Sequence, residues 1–225
     1  MLPDEPPFPR EYERFGSKLM NPKADEVKGD GEIPQVRMRL HHKADKRTIH
    51  FQPNKLVYAW GRTDLRPSYD LVKEEFVRIF NRLSELSAVV NLPSPVVDLW
   101  ELTYTNSFPK GYLWESPSDW HKILPKLFPK PELGNVGYEW SSFTGEWFYE
   151  IAPKRGRVRV KVQKSVANHT DEIVLLLIVS ARGAGPEEAG TLDWQSELEI
   201  GHKSALNVFR NVVSLEVQKK WGVKS

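Results

Sequence analysis

The sequence predicts an α+β fold, in which one curved, mostly antiparallel sheet carries two long amphipathic helices on one face. Three observations carry this prediction. Several segments alternate apolar and polar residues, which is typical of half-buried strands. Two segments of about 20 residues place apolar side chains at helical spacing. In each half the strands come before the helix, which favours antiparallel pairing. The same order suggests a pseudo-repeat of two β-β-α halves.

The chain divides into a lead-in and a domain. Residues 1–32 are rich in proline, which interrupts regular structure over most of this stretch. We expect a single α+β domain over 33–225, whose possible halves, 33–108 and 136–225, are joined by a Pro- and Trp-rich segment, 109–135. The start of the chain has neither the basic stretch nor the apolar core of a signal peptide.

The first half contains one long helix. Ser68 can cap this helix, which is predicted to run to about Leu86, with the apolar stripe on one side and most charges on the other. Strands are predicted at 36–41, 48–60 and 97–107. Prolines at 93 and 95 separate the helix from the last of these strands.

The second half repeats this order. Strands are predicted at 137–142, 146–151, 157–166 and 172–181. Asp193 can cap the second long helix, and Ser214 can start a short last helix that ends near Trp221. A short helix is also predicted within 120–128, between the two halves.

Composition excludes several classes of protein. Of 225 residues, 32 are Lys or Arg and 30 are Asp or Glu, so the net charge is only +2. Such a chain does not rely on bulk positive charge to hold nucleic acid. It has no cysteine, which removes thiol nucleophiles and thiolate metal sites and is consistent with a cytoplasmic location. Its longest apolar run, of seven residues, is too short for a membrane helix.

Four stretches carry a family resemblance. They read FQPNKLVYAWGRTDLRPSYDLVKEEF, LWELTYTNSFPKG, GHKSALNVFRNVV and KKWG. Together they resemble a sporadically distributed family of uncharacterised bacterial proteins of about the same length, which is defined by a sequence model and not by an activity. The resemblance implies no established enzyme activity and no cofactor. The patchy distribution of that family suggests a link to mobile-element or defence genes.

His202 is the candidate for catalysis, and two interpretations of it stay open. It can be a buried histidine whose nitrogens are satisfied by Asp193 or by a backbone carbonyl. It can also be a general base in a cavity, with Glu101 or Asp193 as the acid. We expect no metal site, because no HExxH occurs and the adjacent His41 and His42 point to opposite faces of a strand.

One predicted strand is strongly basic. The candidate phosphate-binding residues are Arg155, Arg157, Arg159 and Lys161. They alternate with valines, so all four are predicted to project from one sheet face, where they could grip phosphates. In the alternative interpretation this is a solvated face, balanced by Glu146 and Glu150 on the preceding strand.

Aromatic residues are the candidates for partner binding. Tyr112, Trp114 and Trp120 lie in the segment 109–135, where we predict exposed side chains that anchor a protein partner. We therefore expect a non-catalytic binding protein that recognises a protein partner or ligand through its sheet and this segment, with a homodimer as an open alternative. Nucleic-acid or phosphate binding by the basic strand, and an enzyme centred on His202, remain the other hypotheses.

Overall fold

Two antiparallel sheets make up the β-structure of this computed structural model, which describes residues 38–42, 47–52, 54–61, 67–128, 144–151, 155–166, 172–184 and 193–222. The first sheet contains, in spatial order, β1 (Met38–His41), β2 (Arg47–Gln52) and β3 (Lys55–Trp60). The strands of the second sheet are β4 (Leu99–Pro109), β5 (Thr144–Ile151), β6 (Gly156–Val166) and β7 (Ile173–Ala184), in the order β4-β7-β6-β5. The prediction of an α+β fold with antiparallel strands is confirmed.

Three of the four described helices begin directly after the capping residues that the sequence predicts. The four helices are α1 (Tyr69–Val89), α2 (Trp120–Ile123), α3 (Trp194–Val212) and α4 (Leu215–Lys220). The side chains of Ser68, Asp193 and Ser214 accept hydrogen bonds from the backbone N–H groups of Leu71, Gln195 and Val217. These bonds satisfy donors that the first turn of a helix otherwise leaves open. A single turn of 3-10 helix, Pro117–Asp119, leads into α2.

The strands form two sheets where the sequence suggested one. After α1 the chain enters β4, which pairs along its whole length with β7, from Leu99 opposite Ala184 to Pro109 opposite Val174. This pairing places the apolar side chains of β4 and β7 on the same face of the second sheet, beneath α3. Three consecutive strands form an antiparallel meander before each long helix. They are β1-β2-β3 before α1 and β5-β6-β7 before α3. The pseudo-repeat remains a prediction, and the predicted lead-in 1–32 and strand 137–142 lie outside the described residues.

The main core lies between α3 and the second sheet. The inward side chains of β6 are Val158, Val160 and Val162, and those of β7 include Leu175, Leu177 and Val179. Against them pack Leu198, Ala205, Phe209 and Val212 of α3. Because side chains alternate along a strand, this packing directs the other side chains of β5, β6 and β7 to the opposite, outer face of the second sheet.

The described helices include none that is both long enough and apolar enough to cross a membrane.

Candidate functional site

The predicted alternation of the basic strand is confirmed on β6. Val158, Val160 and Val162 are at most 1% exposed on the α3 side, and Arg157, Arg159 and Lys161 occupy the outer face. The hydrophobic effect fixes this orientation, since a strand shifted by one residue would bury three cations and expose three valines.

Arg155 does not share the outer face with the other three cations. Its guanidinium lies 3.7 Å from the carboxylate of Glu197, which is buried on α3 on the opposite side of the sheet. Arg155 precedes β6 in a turn, and Gly156 follows it with a φ of 141°. A residue in such a turn does not keep the alternation of the strand, so the expected row of four cations is wrong.

Acidic residues balance the cations of the outer face. Arg159 Nη2 lies 3.0 Å from Glu146 Oε1 on β5, Lys161 stands opposite Glu146, and Arg157 stands opposite Glu150. This face carries four cations and three carboxylates, so its net charge is +1. They are Arg157, Arg159, Lys161 and Arg182, and Glu101, Glu146 and Glu150. This arrangement favours the balanced-face interpretation over a phosphate-binding patch.

An exposed aromatic stands among these charges. Phe148 lies on the outer face of β5 and is 52% exposed, and the guanidinium of Arg157 lies 5.2 Å from the centre of its ring. The preceding residue, Trp147, turns to the other face and packs against Phe128. Aromatic and arginine side chains are enriched at protein–protein interfaces, so this pair is the first element of a candidate site.

The backbone of β5 supplies the second element. Among the described strands of the second sheet, β5 is hydrogen-bonded to β6 alone, and β4 forms the other edge. The five residues from Tyr104 to Phe108 in β4 are all buried, whereas five of the eight residues of β5 are exposed. An exposed edge strand presents unpaired N–H and C=O groups to which another extended chain can bind.

Two of the three aromatics predicted to bind a partner are core residues. Trp120 is 0% and Trp114 is 4% exposed, and their rings contact each other with centroids 5.7 Å apart. The indole N–H of Trp114 donates a hydrogen bond to the carbonyl oxygen of Phe108. The expectation that they are exposed is therefore wrong, and neither can anchor a partner. Tyr112, at 64% exposed, does lie on the surface.

Asp119 fixes the turn between these two tryptophans. Its carboxylate accepts hydrogen bonds from Lys122 Nζ at 2.6 Å and from the backbone N–H groups of Glu115 and Ser116 at 3.1 Å each. The bond from Lys122 and those from the two N–H groups lower the pKa of Asp119 from 3.8 to about 2. All three bonds stabilise the ionised form.

The Asp119→Asn variant should show the effect of this pKa on stability. Because the folded-state pKa is depressed, the carboxylate stabilises the fold fully above the unfolded pKa of 3.8, and its contribution is lost as the pH falls toward 2. Urea unfolding near neutral pH should give a free energy about 1 kcal/mol below wild type, since solvent screens part of the effect. The difference should shrink between pH 4 and pH 2, and a difference independent of pH would contradict this assignment.

His202 belongs to a polar cluster that the sequence did not indicate. Its Nδ1 shares a hydrogen bond of 2.6 Å with the hydroxyl of Tyr104 on β4, and its ring stacks on Tyr69 of α1 with centroids 3.8 Å apart. Lys73 of α1 donates a hydrogen bond to Glu199, one turn before His202 on α3. The cluster thus joins α1, α3 and β4.

Hydrogen bonding, burial and nearby charges shift the pKa values of two groups in this cluster, Glu199 and Tyr69. The hydrogen bond from Lys73 lowers the pKa of Glu199, although partial burial acts in the opposite direction. Burial raises the pKa of the Tyr69 phenol, and the negative charge of Glu199 raises it further. Near neutral pH, Tyr69 is therefore neutral and Glu199 is ionised.

Neither proposed acid lies beside His202. Glu101 stands on the outer face of β4, whereas Tyr104, the partner of His202, faces α3. Asp193 caps α3 and is occupied by the N–H of Gln195 and the hydroxyl of Ser196. Asp193 precedes His202 by nine residues, or about 13 Å along a helix. The expected pairing of His202 with either residue is therefore wrong.

A cleft of about 1060 Å³ lies between α1 and the first sheet, and His202 does not line it. Its described lining includes Ile49 and Phe51 from β2 and Leu83 and Leu86 from α1, but not His202. Within the ranges that the structure describes, no group of three or more His, Asp or Glu residues could hold a metal ion.

Comparisons with protein-family models, with curated proteins and with solved structures each gave no match to this chain. The resemblance of its four motif stretches to a bacterial family stays a prediction.

Proposed function

We propose that this chain is a non-catalytic binding protein whose β5 accepts an extended segment of a protein partner as an additional strand. The observation that carries the proposal is Phe148, which is half exposed on an edge strand beneath the guanidinium of Arg157. Binding of this kind takes its affinity from main-chain hydrogen bonds and its specificity from side chains on both faces of the sheet.

The side chains of β5 define the chemistry of the partner. On the outer face, Phe148 is flanked by Glu146 and Glu150, and on the other face Trp147 and Tyr149 are apolar. Glu150 has no ion-pair partner among the residues that the structure describes. An added strand is therefore expected to carry an apolar residue opposite Phe148, a cation two residues away on each side, and apolar residues between them.

The same charges argue against a second copy of this chain as the partner. Two copies of β5 paired antiparallel about Phe148 would place Glu146 of each copy opposite Glu150 of the other. Like charges directly opposite each other destabilise a strand pair. The favoured partner is thus a different protein with a basic, alternating segment.

The proposal is tested by reversing the charge of one residue on the protein and the matching charges on a peptide. The probe is a fluorescein-labelled peptide, Thr-Lys-Val-Tyr-Val-Lys-Thr, measured by anisotropy at low salt. The Glu150→Lys variant should bind it about tenfold more weakly, which is about 1.4 kcal/mol. It should bind the peptide with Glu in place of Lys more tightly than wild type does. Glu172→Lys, the same charge change on an exposed residue before β7, should behave like wild type.

The proposal fails if wild type binds the Lys and Glu peptides equally, or if Glu172→Lys weakens binding as much as Glu150→Lys. Retained binding in Phe148→Ser, with an unchanged melting temperature, would also exclude this site.

The absence of cysteine from the sequence supports a cytoplasmic location for this function, as part of the same proposal. A link to bacterial mobile-element or defence genes rests only on the resemblance of the motif stretches.

A further inference from the structure

The apolar side of α1 is less buried than that of α3. Of the 21 residues of α1, only Tyr69 is buried, whereas α3 buries six of its 19 residues. Both helices are amphipathic, so each has an apolar side that is stabilised by packing against another surface. A helix that leaves this side half exposed loses part of the hydrophobic stabilisation that burial supplies. The described residues therefore provide only part of a packing surface for α1.

The cleft between α1 and the first sheet lies along this apolar side. Its lining includes Leu83 of α1, Phe51 of β2 and Leu40 of β1. The side chains of Leu40 and Leu86, both in the lining, are 47% and 52% exposed. Along α1 the cleft extends from Asp70 to Leu86, which is about 24 Å at the rise of an α-helix. A groove of this length between a helix and a sheet suits an amphipathic helix.

The sequence before β1 contains an apolar stripe that fits such a groove. Four apolar residues recur there at intervals of four, three and four, and they are Phe8, Tyr12, Phe15 and Leu19. This spacing places all four on one side of a helix, with most of the charged residues on the other side. Pro9 suits the first turn of such a helix, and Pro22 ends it. A helix over residues 8–19 is about 18 Å long and fits within the cleft.

We propose that residues 8–19 of this chain bind in the cleft as an amphipathic helix, with the apolar stripe against Leu83 and Leu86 of α1 and Phe51 of β2. The connection to the fold favours this occupant over a separate molecule. Residues 20–37 join the stripe to β1, whose Leu40 itself lines the cleft. These 18 residues reach up to about 60 Å when extended, so the stripe can reach every part of the cleft. Because the binding is intramolecular, a weak contact is sufficient.

Formation of this helix depends on the cleft. An isolated helix of 12 residues is marginal in water, and Gly16 within the stretch weakens it further. The segment is therefore expected to become helical only where its apolar stripe is buried. Bound in this way, it would also cover apolar surface of α1 and β1 that is open to other molecules. The inference does not depend on the β5 site, which lies on the other sheet.

Paramagnetic relaxation in the full chain tests the contact. The sequence has no cysteine, so Ser17→Cys provides a single position for a nitroxide label. Residue 17 falls on the side of the proposed helix opposite the apolar stripe, so the label does not block binding. The nitroxide should broaden the amide signals of residues that line the cleft, including Leu83 and Phe51. It should leave the signals of β5 unchanged.

Matched variants of the labelled chain show which contacts are responsible. Phe15→Gln should abolish the broadening, because it removes the centre of the apolar stripe. Arg14→Gln, the same new residue on the polar side, should retain it. Leu83→Gln in the cleft should act as Phe15→Gln does, whereas Leu215→Gln, on an exposed leucine of α4, should act as Arg14→Gln does. Dispersed amide signals from the second sheet show that each variant is folded.

The inference is overturned if the label broadens no signal of the cleft, or if it broadens β5 in place of the cleft. It is also overturned if Arg14→Gln abolishes the broadening as Phe15→Gln does. A mixture of labelled chains with isotope-enriched chains that carry no label tests for a second copy as the occupant. Broadening in the enriched chains as strong as within one chain would assign the cleft to a second copy and contradict the intramolecular contact.

Discussion

Replacement of Trp120 by alanine is expected to lower the free energy of unfolding by about 3–5 kcal/mol. The side chain is 0% exposed, and its ring meets those of Trp114 and Phe128 edge to face, each with centroids 5.7 Å apart. Truncation therefore removes a large buried surface and leaves a cavity beside Trp114 and Phe128. Urea unfolding followed by circular dichroism measures the change.

Tyr112→Ala is the matched control for this variant. Tyr112 belongs to the same proline-rich segment but is 64% exposed, so its replacement should change stability by less than about 0.5 kcal/mol. A Trp120→Ala protein as stable as wild type would contradict the packing described for this segment, and would restore the interpretation of Trp120 as a surface anchor.

Replacement of Gly201 by alanine is expected to lower stability by about 1–3 kcal/mol, although alanine favours helix formation by about 1 kcal/mol over glycine. Gly201 lies inside α3 directly above Trp100 of β4. A methyl group at this position would lie 2.5 Å from Cζ3 and 2.7 Å from Cη2 of the indole. The helix would have to move away from the sheet to relieve this overlap, and the core contacts of α3 would weaken.

A double variant shows whether the overlap is the cause. Trp100→Phe shortens the ring beneath Gly201, so Gly201→Ala should destabilise the Trp100→Phe protein less than it destabilises wild type. Lys203→Ala, an exposed change on the same helix, should stay within about 0.5 kcal/mol of wild type. If Gly201→Ala raised stability in the wild-type background, the close approach of α3 to β4 would be wrong.

Local features of the fold were predictable from the sequence. Capping by Ser68, Asp193 and Ser214 depends on residues two or three positions away, and all three caps are present. The orientation of β6 was also predictable, because its valines alternate with charged residues. Strand pairing was not, since β4 pairs with β7 about 70 residues later and no local signal encodes that choice.

The burial of Trp114 and Trp120 also depends on contacts between residues that are far apart in the sequence. Prolines around them indicate a loop, but the backbone N–H of Ser214, at the end of α3, donates to the carbonyl of Ile123 in α2 and closes this segment onto the core. His202 could be singled out from the sequence as a candidate for catalysis. Its partners Tyr69 and Tyr104 come from α1 and β4, so no spacing along the chain could indicate them.

A signal for Phe148 was present in the sequence. Trp147, Phe148 and Tyr149 are three consecutive aromatics in a predicted strand, and alternation must place at least one of them on each face. Alternation with Trp147 and Tyr149 therefore predicts that Phe148 lies on the face of the second sheet opposite α3. The sequence does not indicate that Phe148 is exposed, nor that β5 lies at the edge of the described part of the sheet.

Amide hydrogen exchange with and without the Thr-Lys-Val-Tyr-Val-Lys-Thr peptide tests the central claim most directly. If β5 accepts the peptide as a strand, the β5 amides that are not bonded to β6 should exchange more slowly in its presence, while those of β4 at the opposite edge should not change. Protection of β4 or of the first sheet in place of β5, or no protection on any strand at saturating peptide, would contradict the account.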